Sequence, residues 1–250
     1  MRVFAIADLH LSFGIPDKGM EIFGPVWKGW TQKLEDNWKR DIQQEDLVLI
    51  PGDISWAMRP EEAEKDLLWI DSLPGKKVLL KGNHDYWWGS LSKVKKILPQ
   101  SIQVIQNNAL LFDQIAVGGA RLWDTPEFSF SQWSQFRPNP RENTLTERQE
   151  NPDEMEKIFL RELQRLKLSL DQMDSRAKIR IALTHYPPIG GLLEESRASQ
   201  ILESYNINFC VFGHLHNLQP GSKLFGEKNG ISYHLVSADW LDFSPLFITK

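Results

Sequence analysis

Five of the six histidines in this chain fall within short motifs: Asp8-Leu9-His10, Gly82-Asn83-His84-Asp85, Thr184-His185 and Gly213-His214-Leu215-His216. A fifth motif, Gly52-Asp53, lacks histidine but has the same character. Imidazole and carboxylate are the ligands that nitrogen- and oxygen-seeking divalent metals select. Such ligands, each following a hydrophobic run, supply the parts of a two-metal hydrolytic centre. The sixth histidine, His234, lies inside the apolar run Ile231 to Ser237 and reads as structural. Gly52, Gly82 and Gly213 are expected to let the backbone turn tightly where the ligands converge.

The elements that must position these residues are also legible. Apolar runs occupy Val3 to Ala7, Leu47 to Pro51, Val78 to Lys81, Ile179 to Thr184 and Phe209 to Phe212, and each empties into one of the motifs. Near-continuous apolarity predicts strands buried on both faces. Ligands of open α/β sheets bind beyond the carboxyl ends of strands, so the five ends are expected to converge. Trp27, Trp30, Leu34, Trp38 and Ile42 have helical spacing, and Pro60-Glu61-Glu62 opens a second helix carrying Ala63, Leu67 and Ile70. Asn151 caps a third helix, whose stripe runs Met155, Phe159, Leu163, Leu166, Leu170, Met173. Residues 101–121 and 231–249 read as strands without helices, either antiparallel additions or a second sheet.

A chain of 250 residues with 41% hydrophobic and 25% charged residues reads as one globular domain spanning 1–250. A net charge of −4 offers no footprint for long duplex nucleic acid. The first apolar run is too short for a signal peptide or membrane span. The lone Cys210 forms no intramolecular disulfide, which suits a cytoplasmic protein. Within Asn208-Phe-Cys-Val-Phe212 it reads as a buried hydrophobe.

Taken in order from residue 8 to residue 216, the motifs Asp-x-His, Gly-Asp, Gly-Asn-His-Asp, a strand-terminal His and Gly-His-x-His resemble the calcineurin-like metallophosphoesterase superfamily. The resemblance implies a four-layer α/β/β/α sandwich with two mixed β-sheets. It also implies two divalent metal ions and hydrolysis of a phosphate mono- or diester by a metal-bridging hydroxide. By that resemblance Asp8, His10 and His216 hold one ion, Asn83, His185 and His214 hold the other, and Asp53 bridges both. His84 would donate a proton or hydrogen bond to a substrate oxygen, with Asp85 orienting its ring. Manganese is the first expectation for the cations, with iron, zinc and magnesium close behind. Two branches fit less well. Trp56 stands where purple acid phosphatases need an iron-binding tyrosine, and Ile54-Ser55-Trp56 with Asp85 departs from the protein phosphatase pattern.

The expected substrate is a small phosphate ester. A nuclease, a cyclic-nucleotide phosphodiesterase and a non-catalytic metal-binding scaffold for protein interaction are the alternative readings. Trp56 and Trp87 sit within a few residues of the ligand loops, where they either wall the pocket or pack the loops. Residues 122–152 form a long irregular stretch carrying Phe128, Phe130, Trp133 and Phe136, with Arg121, Arg137 and Arg141 in or beside it. Arginine is a natural bidentate phosphate partner. This stretch is therefore read as a substrate-gripping lid, with a solvated loop as the equal alternative. Asp17, Asp113, Asp124 and Asp242 are assigned surface or turn positions.

Overall fold

The computed structural model describes residues 1–134 and 151–250. Two sheets stack face to face. In the first, β1 (Val3–Ala5), β2 (Leu47–Pro51), β3 (Lys76–Leu80) and β4 (Ile102–Ile105) run parallel in that order, with β11 (Leu246–Thr249) antiparallel against β1. The second sheet begins with the antiparallel pair β5 (Leu110–Phe112) and β6 (Ile115–Ala120). It continues in parallel through β7 (Ile179–Thr184), β8 (Phe209–Phe212) and β10 (Ile231–Leu235), and β9 (Gly226–Lys228) closes it antiparallel to β10.

The strands read as continuous apolar runs because both of their faces are buried. Val3, Ala5, Leu47, Leu49 and Val78 meet Val117, Ile181, Leu183 and Val211 between the sheets. The alternate residues face outward. Phe4, Val48, Ile50 and Leu79 pack under α1 (Trp30–Asp41) and α2 (Pro60–Ser72). Ala116, Ala182, Cys210 and Phe212 pack under α4 (Pro152–Leu170) and α5 (Arg197–Ser204), while the short α3 (Leu91–Val94) follows the third strand. The result is an α/β/β/α sandwich. No helix among the described residues is long and apolar enough to cross a membrane.

Local chemistry sets the helix boundaries. Pro60 occupies the first turn of α2, where a missing N–H costs nothing, and Glu61 and Glu62 face its positive end. Asn151 Oδ1 accepts the Asp153 N–H at 3.0 Å and caps α4.

Two expectations about elements are corrected. Trp27 is not part of α1 but ends a separate 3-10 turn, Pro25–Trp27, and α1 begins at Trp30 after Gly29 in a left-handed conformation. Met173 lies beyond the end of α4, although it packs in the same core. In 231–249 both expected alternatives occur: β11 is an antiparallel addition to β1, and β10 belongs to the second sheet, parallel to β8, so a sixth strand end points the same way as the five foreseen.

Candidate metal centre and substrate chamber

The strand ends converge, and they come from both sheets. β1, β2 and β3 deliver Asp8, His10, Asp53 and Asn83; β7 and β8 deliver His185, His214 and His216. The loops are locked together by backbone hydrogen bonds from Asp8 N to Gly52 O and from His10 N to Asp53 O, both 3.0 Å. Ala7 pairs with Ser237 across the two sheets.

Four of the candidate ligands have left-handed backbones: Asp8 (φ 58°), His10 (46°), Asp53 (51°) and His214 (74°). Residues other than glycine rarely adopt this region. Each such residue costs about 1–3 kcal/mol and persists only where its surroundings enforce it, typically at functional sites. The nearby glycines act mainly by yielding space. A Cβ on Gly82 would sit 2.1 Å from Asp53 Oδ1, and one on Gly213 would sit 2.3 Å from Asp8 Oδ2. Of the three motif glycines expected to permit tight turns, only Gly52 also needs a positive φ, at 101°.

Ring nitrogens and oxygens face one another at close range. His185 Nε2 lies 2.6 Å from Asn83 Oδ1 and 3.5 Å from Asp53 Oδ1, while His214 Nδ1 lies 3.1 Å from the same amide oxygen. His10 Nε2 lies 3.3 Å from His216 Nε2 and 3.7 Å from Asp53 Oδ2, and His216 Nε2 lies 3.6 Å from Asp8 Oδ1. The outward nitrogen of His216 is already committed, with Nδ1 2.8 Å from Asp239 Oδ1. Likewise His185 Nδ1 is 3.0 Å from the Pro51 carbonyl. These outer partners fix tautomers that turn lone pairs inward, as they do for metal-bound histidines. The donor set fits cations. Asp8, His10 and His216 form one group able to hold a metal ion, and Asp8, Asp53 and His185 form another.

The electrostatics agree. Burial disfavours a charged His185, but Asp53 and Asp8 outweigh it and raise the ring to about 9. Burial dominates at His10 and His214 and lowers both to about 3. Asp53 is held well below the usual carboxylate range because the neighbouring imidazoles outweigh its burial. Carboxylates that hold a proton on a buried ring define a place where a divalent cation can replace that proton.

Beside the cluster lies a chamber of about 900 Å³ whose lining includes His84, His214, His216, Trp123, Phe130 and Tyr186. Tyr186 packs 4.0 Å from the His214 ring. The His84 backbone N–H donates to Asp53 Oδ1 at 2.9 Å, and its ring Nδ1 is buried with no hydrogen-bond partner. Trp56 stacks on His10 at 4.9 Å and packs 4.6 Å from His84, backing both rings.

Several expected contacts are corrected. Asp85 does not orient the His84 ring. Its Oδ1 accepts the backbone N–H groups of Ile54 and Ser55 and the indole N–H of Trp87, and its Oδ2 accepts Gly82 N–H. Its carboxylate is therefore spent on holding two ligand loops together. Trp87 is buried in that bracket and does not reach the chamber. Arg121 turns to a different cavity, with its guanidinium 4.6 Å from the Trp123 ring centre, although its carbonyl accepts the N–H groups of His185 and Tyr186. Arg137, Arg141 and Phe136 lie outside the described residues, whereas Phe128, Phe130 and Ser134 line the chamber. His234 is half-buried against Phe209, as a structural residue would be.

One carboxylate escaped the sequence reading. Asp239, after β10, holds His216 Nδ1 and the Asn217 N–H; Asp124 is exposed, as a surface residue would be, although it lies 4.0 Å from His214 Nε2. Asp239 follows an apolar run just as the five motifs do, which is the signal that could have found it.

The family profile for calcineurin-like phosphoesterases matches residues 1–218, and the chain belongs to that family. Along 98% of its length it is similar to a protein of unknown function from Aquifex aeolicus, covering 95% of that chain at 16% identity and a TM-score of 0.47. Along 99% of its length it is similar to the phosphopantetheinyl hydrolase of Mycobacterium tuberculosis, covering 95% of that chain at 13% identity and a TM-score of 0.55. No curated protein matches the chain.

Proposed function

We propose that the protein hydrolyses a small phosphate mono- or diester in the chamber beside the Asp–His cluster, working as one domain because the cluster draws on both sheets. The observation that carries this reading is the set of opposed acceptor atoms, Asn83 Oδ1 against His185 Nε2 and His10 Nε2 against His216 Nε2, with their outer nitrogens tied to Pro51 and Asp239 where the rings have a second partner. Asp8, His10 and His216 would hold one divalent cation, Asn83, His185 and His214 a second, and Asp53 would touch both. Manganese is our first choice. Bound there, the cations would polarise phosphate oxygens and lower the pKa of a water.

The chain's own groups supply the rest. His84 lines the chamber and would hydrogen-bond a phosphate or leaving-group oxygen. Burial keeps that ring below the usual imidazole range. Trp123, Phe130 and Tyr186 give the chamber an aromatic wall suited to an apolar or aromatic leaving group. Residues of 123–134, which line the chamber, would contact the substrate from that side.

Turnover of an aryl phosphate and a bis-aryl phosphate by metal-loaded wild-type protein and by His84→Ala tests the proposal. Hydrolysis of at least one ester is expected, falling on the order of a hundredfold in the variant with metal retained. Wild-type protein that carries metal yet turns over no ester in a broad panel would favour the scaffold reading.

A further inference from the structure

A second cavity, of about 270 Å³, opens beyond the carboxyl ends of β3, β4 and β6, where α4 crosses them. Its lining includes four cationic side chains, Lys81, Arg121, Arg161 and Arg165, against one carboxylate, Glu162. Glu162 is buried and draws three guanidiniums towards itself, with Arg165 Nη1 at 2.6 Å, Arg121 Nη2 at 3.7 Å and Arg161 Nε at 3.9 Å. One carboxylate cannot neutralise them. In a chain of net charge −4, this surplus of positive charge at a concave site favours an anion there.

We propose that this cavity binds a phosphate-class oxyanion, separately from the Asp–His cluster. Its volume is near the lower end, roughly 300 Å³, of small-ligand pockets. Guanidinium forks match the geometry of phosphate, and Lys81 adds a point charge. The walls are prepositioned: Lys81 Nζ donates to the Trp88 carbonyl at 2.6 Å, and Gln106 Oε1 accepts the Trp88 indole N–H at 2.9 Å. Arg161 and Arg165 keep 56% and 46% of their side chains exposed, so an anion can reach them from solvent.

The place in the fold gives the cavity a second consequence. Lys81 lies two residues before Asn83 in the same loop, and the Arg121 carbonyl holds the N–H groups of His185 and Tyr186. An anion drawing Lys81 and Arg121 together pulls on the backbone that carries two of the candidate ligands. The occupant is therefore either product phosphate held after hydrolysis or a separate phosphorylated effector, and both share this chemistry.

The test is calorimetric titration of the metal-loaded full-length protein with inorganic phosphate, comparing wild type with Arg161→Gln/Arg165→Gln and with Arg161→Gln alone. Circular dichroism checks that each variant is folded. The proposal expects wild type to bind one phosphate more per chain than the double variant, and the single variant to weaken that added site at least several-fold. Replacing inorganic phosphate with a non-hydrolysable phosphonate distinguishes the sources. Binding of both ligands at the added site indicates an effector site open to substituted phosphates, and binding of inorganic phosphate alone indicates a product site. Equal stoichiometry and affinity in wild type and folded variants would overturn the proposal. The readout is a difference between proteins, so it stands whether or not the Asp–His cluster also takes a phosphate.

Discussion

At the scale of single residues, the informative atoms are those with a second partner. Asp239 fixes which nitrogen of His216 faces the cluster. Outer carboxylates of this kind typically contribute 10–100-fold in metal affinity. Asp239→Ala is therefore expected to weaken cation binding by roughly that factor, measured by competition with a chelating dye, while the fold persists. Asp85 is different in kind. It accepts four N–H groups from two loops, so Asp85→Ala should lower the melting temperature, whereas His84→Ala should leave it nearly unchanged and affect turnover. Equal melting temperatures for Asp85→Ala and wild type would contradict the bracket role. The candidate ligands were readable because each follows an apolar run within a few residues. Asp85 misled because neighbours in sequence need not face each other: Asp85 turns to the Ile54 and Ser55 N–H groups while His84 lines the chamber. Asp124 is exposed as its sequence context suggested, and only folding brings it to 4.0 Å from His214.

At the scale of elements, the strands were legible from apolarity and the long helices from their stripes and caps. The division of those strands between two sheets was not, because a run buried on both faces looks the same in either. The loops after the strands depend on brackets that no pattern predicts, and Asp66 on α2 is one of them. It accepts the Ser55 hydroxyl and, at 2.7 Å, the Phe13 N–H, so it ties α2 to the loops after β1 and β2. Burial raises its pKa to about 6, against the lowering effect of those hydrogen bonds. The folded state thus holds a proton that the unfolded chain, near 3.9, releases. This stabilisation is present in acid and is lost as pH rises from about 4 to about 6, an effect of about 3 kcal/mol. The melting temperature of wild type relative to Asp66→Asn should accordingly fall across that window, by roughly 2–4 °C per kcal/mol. A pH-independent difference between the two proteins would contradict it.

At the scale of the whole molecule, the Asp–His cluster lies where two separately hydrogen-bonded sheets meet at their carboxyl ends. Cations bound there would hold β1, β2 and β3 against β7 and β8, so chelation should cost stability as well as activity. With free cation at about a thousandfold above Kd, mass action stabilises the fold by about 4 kcal/mol, which should be visible as a fall in melting temperature on adding chelator. Net charge points away from long duplexes, and the chamber's aromatic wall suits the small ester proposed above. The cationic cavity under α4 could not be foreseen, because Lys81, Arg121, Arg161 and Arg165 come from three distant stretches of chain. The most direct test of the account is elemental analysis of reconstituted, desalted protein beside Asp53→Asn. Two divalent ions per chain in wild type and loss of at least one in Asp53→Asn are predicted. Wild type that retains no ion, or Asp53→Asn that retains both, would contradict the account.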